Sequence, residues 1–528
     1  MASVFSFDTS VLDSHLNTLG LERTWKTLLA TKVTASGKDF LYMLDGPFLE
    51  RVKPLDHDIL EDLTIGEVSV LYEYCVAKVD ANSRKDNGQF FTPDDVANLM
   101  VSEALQFPQG KWLDPCSGIG NLSWHLVNAQ SEKESFLSRQ VVLSDKDGLA
   151  LEIARVLFTL SFQDQNPTLY NEIEGNFVRF DFLSVADRGE SALFGNGQLE
   201  GIPEHDFVIV NPPYLGLKRE DPRFETSKSK DLYAYFLENI IKTSAGFVSV
   251  TPQSFTNAGK FSGTRRLLLD KFSSLKIYAF DNIPGNIFYG VKFGSSNTNT
   301  ANSIRAAIMV AKQQGSDRKI TSLLRWKTSE RKAMFSRLSE FLSEAPLSHE
   351  GFPKVSRVFH SLYQELSTKP KLETLLSSSQ TEYVLFVPAA PRYFISALKT
   401  SVDRSSMKTL SFRSEDDVNR AYVLLNSSLM YWWWRVRDGG MTLALETIKS
   451  LPLPDFEVDP ALVAKLVQSE TTNKVYKMNA GALHENVKHD LALVSELNKL
   501  VAPLYSDRLL MTHENSELVQ LPKKALAE

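Results

Sequence analysis

The sequence predicts an α/β fold in which a doubly wound parallel sheet is flanked by helices. Two observations lead to this prediction. From about residue 111 to residue 312, short runs rich in β-branched and aromatic residues alternate with longer amphipathic stretches, which is the pattern of consecutive strand and helix units. In addition, glycine, acidic or amide residues come directly after several of these runs. Such residues at strand ends are typical of α/β sheets that bind ligands.

Seven short runs are predicted to be strands, and the stretches between them to be helices or loops. The predicted strands are 111–113, 141–143, 177–180, 206–210, 246–250, 276–280 and 304–311. The predicted helices include 149–160 and 232–241. Seven strands are enough for one doubly wound sheet.

The regions on either side of this sheet have different patterns. Before about residue 85, apolar residues recur at helical intervals, for example within 65–76, which predicts a helical amino-terminal segment. After about residue 340 the alternation is lost, and predicted strands 383–387 and 409–412 precede a helix-like stretch, 417–436. The end of the chain is mostly compatible with helix.

The overall charge gives no sign of a polyanionic partner. The chain has 58 Lys and Arg against 64 Asp and Glu, a formal net charge of −6, so a nucleic acid would have to be bound by a local basic patch. The segment 305–337 contains nine basic and two acidic residues. Its basic residues are Arg305, Lys312, Arg318, Lys319, Arg325, Lys327, Arg331, Lys332 and Arg337. The run fits a solvated surface as well as a phosphate-binding strip.

The composition excludes several classes of protein. Two cysteines, Cys75 and Cys116, cannot form a disulfide framework or a four-cysteine zinc site. The nine histidines show no HExxH motif and no His-Cys cluster. The amino terminus lacks a signal-peptide pattern, and no apolar stretch reaches the ~18 residues of a membrane span. We therefore expect a cytoplasmic protein that binds neither metal nor membrane.

The most informative segment is Asn211-Pro212-Pro213-Tyr214, which follows the apolar strand 206–210. Two consecutive prolines cannot continue a central strand, and they form a stiff, extended turn. The Asn211 side chain and the Pro212 carbonyl oxygen are then two acceptors that can converge on one amino group. Tyr214 can stack on a planar ligand. The segment therefore favours a site for a planar, conjugated amine over a plain strand-ending turn.

Two acceptors on such an amine take both of its hydrogens and free the lone pair of the nitrogen. The nitrogen can then attack an electrophilic carbon, and its proton can leave to solvent without a dedicated His or Glu base. This chemistry is that of a methyl acceptor.

Other strand ends offer groups that suit a nucleoside. The segment 112–121 (WLDPCSGIGN) runs from a strand into a glycine-bearing turn and a helix, where glycines let the backbone approach a ligand. It contains neither the GxGxxG fingerprint nor a GxxxxGK[ST] phosphate loop, so a nucleoside without phosphates fits better. After the next two strands, Asp145 and Asp147 offer carboxylates for ribose hydroxyls. Asp181-Phe182 offers an acceptor and an aromatic wall for a purine.

These motifs, in this order, resemble the gamma class of S-adenosylmethionine-dependent DNA adenine-N6 methyltransferases of restriction-modification systems. The resemblance covers about residues 86–315. The segment 88–93 (GQFFTP) is similar to the first motif of that family, 114–120 to its cofactor loop, 211–214 to its catalytic NPPY, and 286–291 (NIFYGV) to the motif whose aromatic residue packs on the target base. Farther on, 424–428 (LLNSS) and 451–454 (LPLP) are similar to its carboxyl-terminal recognition domains.

The resemblance implies a role for each matched residue. The catalytic residues would be Asn211, Pro212, Pro213 and Tyr214. S-Adenosyl-L-methionine would be bound by Phe91, Thr92, Pro93, Asp114, Pro115, Gly118, Gly120, Asp145, Asp181, Phe182 and Asn211. Asp145 would bind the ribose hydroxyls and Asp181 the adenine amine of this cofactor. Tyr214 and Phe288 would contact the target adenine. The sequence departs from the family pattern at Cys116-Ser117 in the cofactor loop, and it has no glycine before Asp145.

The resemblance also implies four regions arranged around a Rossmann-like, seven-stranded class I methyltransferase sheet. These are a helical segment, 1–85, a catalytic domain, 86–315, a mixed α+β target-recognition domain, 316–455, and a helical tail, 456–528. The implied activity is methylation of N6 of an adenine flipped out of double-stranded DNA. The chain would be the modification component of a restriction-modification system, encoded by a bacterium, an archaeon or a phage. Its cognate restriction endonuclease would be a separate protein.

Three alternatives stay open. An NPPY segment can also bind the amide of a protein glutamine or the amine of an RNA base. The chain could instead be a modification subunit that recognises DNA only through a separate specificity subunit. A DNA-binding module with an inactive methyltransferase fold is the non-enzymatic alternative, although the intact NPPY with Asp114 and Asp181 argues against it.

Overall fold

The protein is described by a computed structural model. The described residues are 6–79, 92–184, 202–288, 292–293, 296–297, 304–391, 393–404, 406–438, 442–479 and 482–521. Within these ranges, no helix has the length and apolar composition that a membrane-crossing segment needs.

The strands fall into one large sheet and three small ones. The strands are β1 (Ser6–Phe7), β2 (Trp112–Asp114), β3 (Val141–Asp145), β4 (Phe177–Arg179), β5 (Phe207–Val210), β6 (Gly246–Pro252), β7 (Ser274–Ala279), β8 (Lys292–Phe293), β9 (Ser296–Asn297), β10 (Ala306–Lys312), β11 (Arg318–Ile320), β12 (Ser343–Glu344), β13 (Val384–Pro388), β14 (Met407–Ser411), β15 (Lys474–Asn479) and β16 (Ala482–Val487).

Helices cover the large sheet and make up most of the two ends of the chain. They are α1 (Ser10–Ser36), α2 (Ile65–Val79), α3 (Asp94–Ala104), α4 (Asn121–Asn128), α5 (Lys133–Arg139), α6 (Gly148–Phe162), α7 (Leu169–Glu172), α8 (Leu232–Thr243), α9 (Ser262–Lys271), α10 (Arg331–Ser336), α11 (His360–Leu366), α12 (Glu415–Asn426), α13 (Ser428–Arg437), α14 (Leu445–Lys449), α15 (Pro460–Thr472), α16 (Leu491–Val501) and α17 (Ser506–Leu510).

The large sheet has nine strands in the order β12-β11-β7-β10-β6-β5-β2-β3-β4. Neighbouring strands are parallel, except that β10 is antiparallel to β6 and β7, and β12 is antiparallel to β11. The chain runs outward from β2 through β3 to β4, and then returns to place β5 on the other side of β2. The order of strands therefore reverses between β2 and β5, which is where α/β sheets of this type bind ligands.

All seven predicted strands are present in this sheet, and the two predicted helices correspond to α6 and α8. The predicted number of strands is wrong, because β11 and β12 extend the sheet from seven strands to nine. These two strands have three and two residues, which is too short for an alternating pattern to be visible in the sequence.

Burial on both faces explains why the central strands are continuous apolar runs. All four residues of β5 are buried. Phe207 and Ile209 point into one hydrophobic core, and Val208 and Val210 into another, since successive side chains of a strand point to opposite faces. Helices therefore pack on both faces of the sheet, as predicted.

Two predictions for the second half of the chain are corrected. The helix-like stretch 417–436 is two helices, α12 and α13, which meet at Ser427. The extended backbone of Ser427 ends α12, and its hydroxyl accepts a hydrogen bond from the Leu429 N–H, which caps α13. The predicted helical tail contains the antiparallel hairpin β15-β16 besides its helices. The run Val475-Tyr476 favours strand there.

The aromatic run Tyr431-Trp432-Trp433-Trp434 lies in the hydrophobic core of the carboxyl-terminal half. Each of the four side chains is at most 5% exposed. The prediction that these rings pack in the core rather than stack on bases is confirmed.

The basic run of residues 305–337 does not form one exposed strip. Arg305 and Arg325 are buried and bind Asp281, with N–O distances of 2.8 and 3.1 Å. Arg435 of α13 binds the same carboxylate at 3.2 Å and also binds Glu517 at 2.9 Å. We call these five residues the Asp281 cluster.

Other basic residues of the run are also paired. Arg331 donates to Asp95 at 2.8 Å, and Arg337 donates to Glu340 at 2.8 Å. The interpretation of the whole run as a phosphate-binding strip is therefore wrong. Arg305, Arg325 and Arg331 are paired with acidic residues that are remote in the sequence, whereas Arg337 is paired with the nearby Glu340. The Asp281 cluster connects α13 to the large sheet.

Candidate active site

A cavity lies at the carboxyl ends of β2, β3 and β5, where the order of strands reverses. Ten of the residues that the sequence predicts as functional line it. They are Thr92, Asp114, Pro115, Gly118, Asp145, Asp181, Phe182, Asn211, Pro212 and Pro213. Segments that are more than a hundred residues apart in the chain thus meet at one site, because parallel strands present their carboxyl ends at the same edge of a sheet.

Four other predicted residues are described but are not in the wall of this cavity. They are Pro93, Gly120, Tyr214 and Phe288. Pro93 lies at the start of α3. The predicted residue Phe91, the preceding residues of its motif and residues 289–291 lie outside the described residues.

The turn after β2 depends on glycine at two positions. Gly118 has φ +54° and Gly120 has φ +86°, a left-handed conformation that favours glycine. A Cβ atom on Gly120 would lie 2.7 Å from side-chain atoms of Leu143 and Phe158. Gly120 therefore lets the turn pack closely on β3 and α6, whereas Gly118 exposes its backbone to the cavity.

Asp114, at the end of β2, carries a buried carboxylate with one unused oxygen. Its Oδ2 accepts a hydrogen bond from Ser123 at 3.2 Å, but its Oδ1 has no hydrogen-bond partner among the described residues. Burial raises the pKa of Asp114 to about 7, and hydrogen bonds from Ser123 and from the Cys116 backbone N–H offset only part of this effect. A cationic ligand in the cavity would favour the ionised form.

Asp145, at the end of β3, holds the turn in place. Its Oδ2 accepts from the Gly118 N–H at 2.8 Å, and its Oδ1 accepts from the Asp147 N–H at 2.9 Å. Burial raises the pKa of Asp145, although both backbone bonds oppose this. Each carboxylate oxygen can accept a further hydrogen bond from a ligand hydroxyl.

Asp147 has a structural role instead. Its side chain accepts from the Leu149 and Ala150 N–H groups and so caps α6. Its second oxygen accepts from the Tyr72 hydroxyl of α2 at 2.5 Å. This bond attaches the amino-terminal helical segment to the edge of the site.

Asp181 and Phe182 lie just after β4. Asp181 is exposed and accepts a hydrogen bond from the Leu183 N–H at 3.0 Å. Phe182 is 1% exposed and stacks on Phe236 of α8, with ring centroids 5.8 Å apart. Together they offer an acceptor and an apolar surface at one side of the cavity.

The Asn211 amide is oriented from both sides. Its Nδ2 donates to the Thr92 hydroxyl oxygen at 2.8 Å, and its Oδ1 accepts from the Tyr214 hydroxyl at 2.6 Å. The Tyr214 oxygen also lies 2.8 Å from the Val250 carbonyl oxygen. Burial raises the pKa of Tyr214 well above its usual value, so its hydroxyl stays a hydrogen-bond donor.

Tyr214 and Phe288 are neighbours beside the NPPY turn. Their ring centroids are 6.2 Å apart, and the rings are tilted by 58°. Phe288 is 1% exposed, so its ring is covered in this structure. A stacking contact between Phe288 and a target base requires that the covering residues move, and the assignment of this role stays a prediction.

Several residues of the cavity wall are not predicted from the sequence, and three of them are polar residues on helices. Ser69 and Glu73 come from α2, and Asn121 is the first residue of α4. The signal for Asn121 was available, because it follows the glycine turn directly. Ser69 and Glu73 lie in a helix of ordinary amphipathic pattern, and only the folded chain brings this helix to the cavity. The described residues contain no group of three or more potential metal ligands.

Part of the chain is similar to known restriction-modification proteins. Residues 139–288 match the family described as Eco57I restriction-modification methylase. This range contains Asp145, Asp181, the NPPY turn and Phe288. The chain is also similar to the type II methyltransferase M.PstI of Providencia stuartii, with 24% identity over 227 residues. That match covers 40% of this chain and 42% of the relative, so the chain aligns with less than half of that protein.

The chain is also similar to two solved structures of restriction enzymes. One is the ATP-dependent type ISP enzyme LlaBIII bound to DNA, with 12% identity, a TM-score of 0.42, and coverage of 91% of this chain and 37% of that one. The other is the type IIG restriction endonuclease BpuSI, with 13% identity, a TM-score of 0.40, and coverage of 94% and 76%.

The fold is an α/β sheet with a cavity at the carboxyl ends of its strands. Residues 139–288 match the restriction-modification methylase family, and this match confirms the resemblance that the motifs predict.

Proposed function

We propose that the chain is an S-adenosylmethionine-dependent methyltransferase that acts on N6 of adenine in double-stranded DNA, as the modification component of a restriction-modification system. The observation that carries this proposal is the oriented Asn211 amide of the NPPY turn, at the wall of a cavity that also contains Asp114 and Asp145. We further propose residues 86–315 as the catalytic domain and 316–455 as the domain that recognises DNA.

The cavity residues fit the proposed cofactor. Asp114 Oδ1 and Asn121 Oδ1 are buried acceptors without a partner among the described residues, and they suit a ligand with a cationic donor group. Asp145 suits ribose hydroxyls, and Asp181 with Phe182 suits the adenine. When bound, S-adenosylmethionine supplies a methyl group activated by its sulfonium sulfur.

The NPPY turn would prepare the acceptor amine. Asn211 Oδ1 and the Pro212 carbonyl oxygen would accept the two hydrogens of an adenine N6 group, which draws the nitrogen towards a tetrahedral shape and frees its lone pair. The Thr92 and Tyr214 contacts hold the amide in the required orientation beforehand. After transfer, the excess proton on the nitrogen leaves to solvent.

The acceptor has to leave the double helix first. Adenine N6 is paired in the duplex and cannot enter a cavity at a sheet edge. Extrusion of a base costs a few kcal/mol, about the amount that stacking on aromatic side chains can offset. Tyr214 is the aromatic residue adjacent to the acceptor site.

The test is transfer of labelled methyl from S-adenosylmethionine to mixed-sequence duplex DNA by the purified chain, followed by digestion to nucleosides. N6-methyladenine is the expected product. Label in cytosine, in RNA or in a protein glutamine would overturn the proposed substrate. Cofactor binding without any incorporation would favour the alternative in which a separate specificity subunit is required, and an inactive fold if that subunit also fails to restore activity.

Two variants test the division of roles. Asn211→Ala should lower the rate of methyl transfer by ~10²-fold or more, because it removes an acceptor for the reacting amine. It should largely spare cofactor binding. Asp145→Ala should weaken cofactor binding, since it removes the proposed ribose acceptor and loosens Gly118. Equal loss of cofactor affinity in both variants would contradict this division.

A further inference from the structure

Asn121 lines the cavity, although no motif assigns it a role. It is the first residue of α4 and is 6% exposed. Its Nδ2 donates to the Thr92 carbonyl oxygen at 2.8 Å. Its Oδ1 has no hydrogen-bond partner among the residues that the structure describes. A buried acceptor without a partner is unfavourable in a folded protein, and it points to a ligand that supplies the missing donor.

A second unused acceptor belongs to the same cavity. Asp114 is 2% exposed, and its Oδ1 likewise has no partner within the described ranges. The two residues are linked through α4, because Ser123 of this helix donates to the other carboxylate oxygen, Asp114 Oδ2. One buried carboxylate oxygen and one buried amide oxygen therefore belong to residues that line one cavity, and both are acceptors for a donor group bound there.

We infer that Asn121 is a cofactor-binding residue whose Oδ1, together with Asp114 Oδ1, binds the α-ammonium group of the methionine part of S-adenosylmethionine. This inference rests on the proposed function, because it takes the cavity as the S-adenosylmethionine site. The ammonium group is the best match among the donors of this cofactor. It carries a positive charge and three N–H donors, whereas each ribose hydroxyl has one donor and the adenine amine is neutral.

The same residue is connected to the catalytic turn through Thr92. The Thr92 carbonyl oxygen accepts from Asn121 Nδ2, and the Thr92 hydroxyl oxygen accepts from Asn211 Nδ2. Asn121 thus touches the cofactor with one end of its amide and supports the partner of Asn211 with the other. A measurement of cofactor affinity tests the contact with the cofactor separately from the support of Thr92, because this measurement requires no methyl transfer.

The experiment compares two ligands that differ only in the α-ammonium group. S-Adenosylhomocysteine and its deamino analogue are titrated calorimetrically into the full chain, the Asn121→Ala variant and the Asn121→Asp variant. Asn121→Ala should bind S-adenosylhomocysteine ~10-fold or more weakly, because a hydrogen bond to a charged group is lost. Its affinity for the deamino analogue should not change. Asn121→Asp keeps an acceptor and should keep the preference for S-adenosylhomocysteine.

A matched control comes from the other end of the same helix. Asn128 is exposed, accepts a hydrogen bond from Lys133 and is not in the cavity wall. Asn128→Ala should bind both ligands like the unmodified chain. Unchanged binding of the deamino analogue to Asn121→Ala also shows that the variant is folded.

Two outcomes would overturn the inference while the proposed function stands. In one, Asn121→Ala binds S-adenosylhomocysteine as tightly as the unmodified chain. In the other, it loses affinity for both ligands equally, which indicates a purely structural role. If the unmodified chain binds neither ligand, the proposed function itself fails.

Discussion

Asp114 and Asp281 are two buried aspartates at the carboxyl-terminal edge of one sheet, and their surroundings are opposite. Burial raises the pKa of Asp114 to about 7. Burial also opposes the ionisation of Asp281, but Arg305, Arg435 and Arg325 outweigh it and lower the pKa of Asp281 to about 2. Asp281 has its countercharges within the protein, whereas Asp114 keeps one oxygen without a partner among the described residues.

This comparison distinguishes a structural carboxylate from one that suits a ligand. Two arginines of the Asp281 cluster come from the residue before β10 and from the segment after β11, and the third comes from α13, so their pairing connects the large sheet to the carboxyl-terminal half. Asp114 Oδ1 has no hydrogen-bond partner in the part of the chain that the structure describes, and Asp114 lines the cavity instead. A buried charge that the fold leaves uncompensated is a candidate binding group.

The largest expected effect is the loss of stability on removal of Asp281. Asp281→Ala leaves three buried arginines without their shared countercharge, which should destabilise the chain by about 3–5 kcal/mol. Thermal and urea unfolding of the full chain measure this. Asp317→Ala is the control, because this exposed carboxylate pairs with Lys319 at the surface and such pairs contribute about 1 kcal/mol or less. Similar losses in both variants would remove the contrast between a buried cluster and a surface pair.

The next largest effect is expected on removal of the Asp114 carboxylate, which should change ligand binding and not stability. Asp114→Asn should not lower the melting temperature of the ligand-free chain, since it removes a carboxylate whose ionisation burial disfavours. It should weaken S-adenosylmethionine binding by ~10- to 100-fold, because the amide carries no negative charge and its NH2 group cannot accept a hydrogen bond. A chain that is less stable but binds the cofactor normally would show that Asp114 is a structural carboxylate like Asp281.

The third prediction uses pH to separate the two aspartates. A raised pKa means that the folded chain favours neutral Asp114, so this contribution to stability is present in acid and is lost as the pH rises through about 7. The lowered pKa of Asp281 means the reverse, since its contribution is present above the unfolded value and is lost as the pH falls towards about 2.

Cofactor affinity should follow the ionised form of Asp114. It should therefore decrease as the pH falls through about 7, and Asp114→Asn should remove this dependence. Calorimetric titration of S-adenosylhomocysteine between about pH 6 and 9 measures it. A flat profile in the unmodified chain would contradict the role of the Asp114 carboxylate.

Part of the site could be predicted from the sequence because its residues lie at the ends of strands. Asp114, Asp145 and Asn211 could be predicted because each one comes directly after an apolar run, and parallel strands end at the same edge. Ser69 and Glu73 could not be predicted, because α2 reaches the cavity only through tertiary contacts such as the bond from Tyr72 to Asp147. A role for Phe288 could be proposed from its motif, but the burial of its ring beside Tyr214 could not be predicted from the sequence.

The sequence by itself determined the α/β class, seven of the nine strands of the sheet and the NPPY segment, because these depend on local periodicity and on the chemistry of adjacent residues. Only the tertiary structure decided which charges are available to a ligand. Arg305 and Arg325 are neutralised by Asp281, and Asp114 and Asn121 keep unpaired oxygens within the described part of the chain. The pairing of a charge depends on groups that are distant in the sequence, so its local pattern does not reveal whether it supports the fold or faces a ligand.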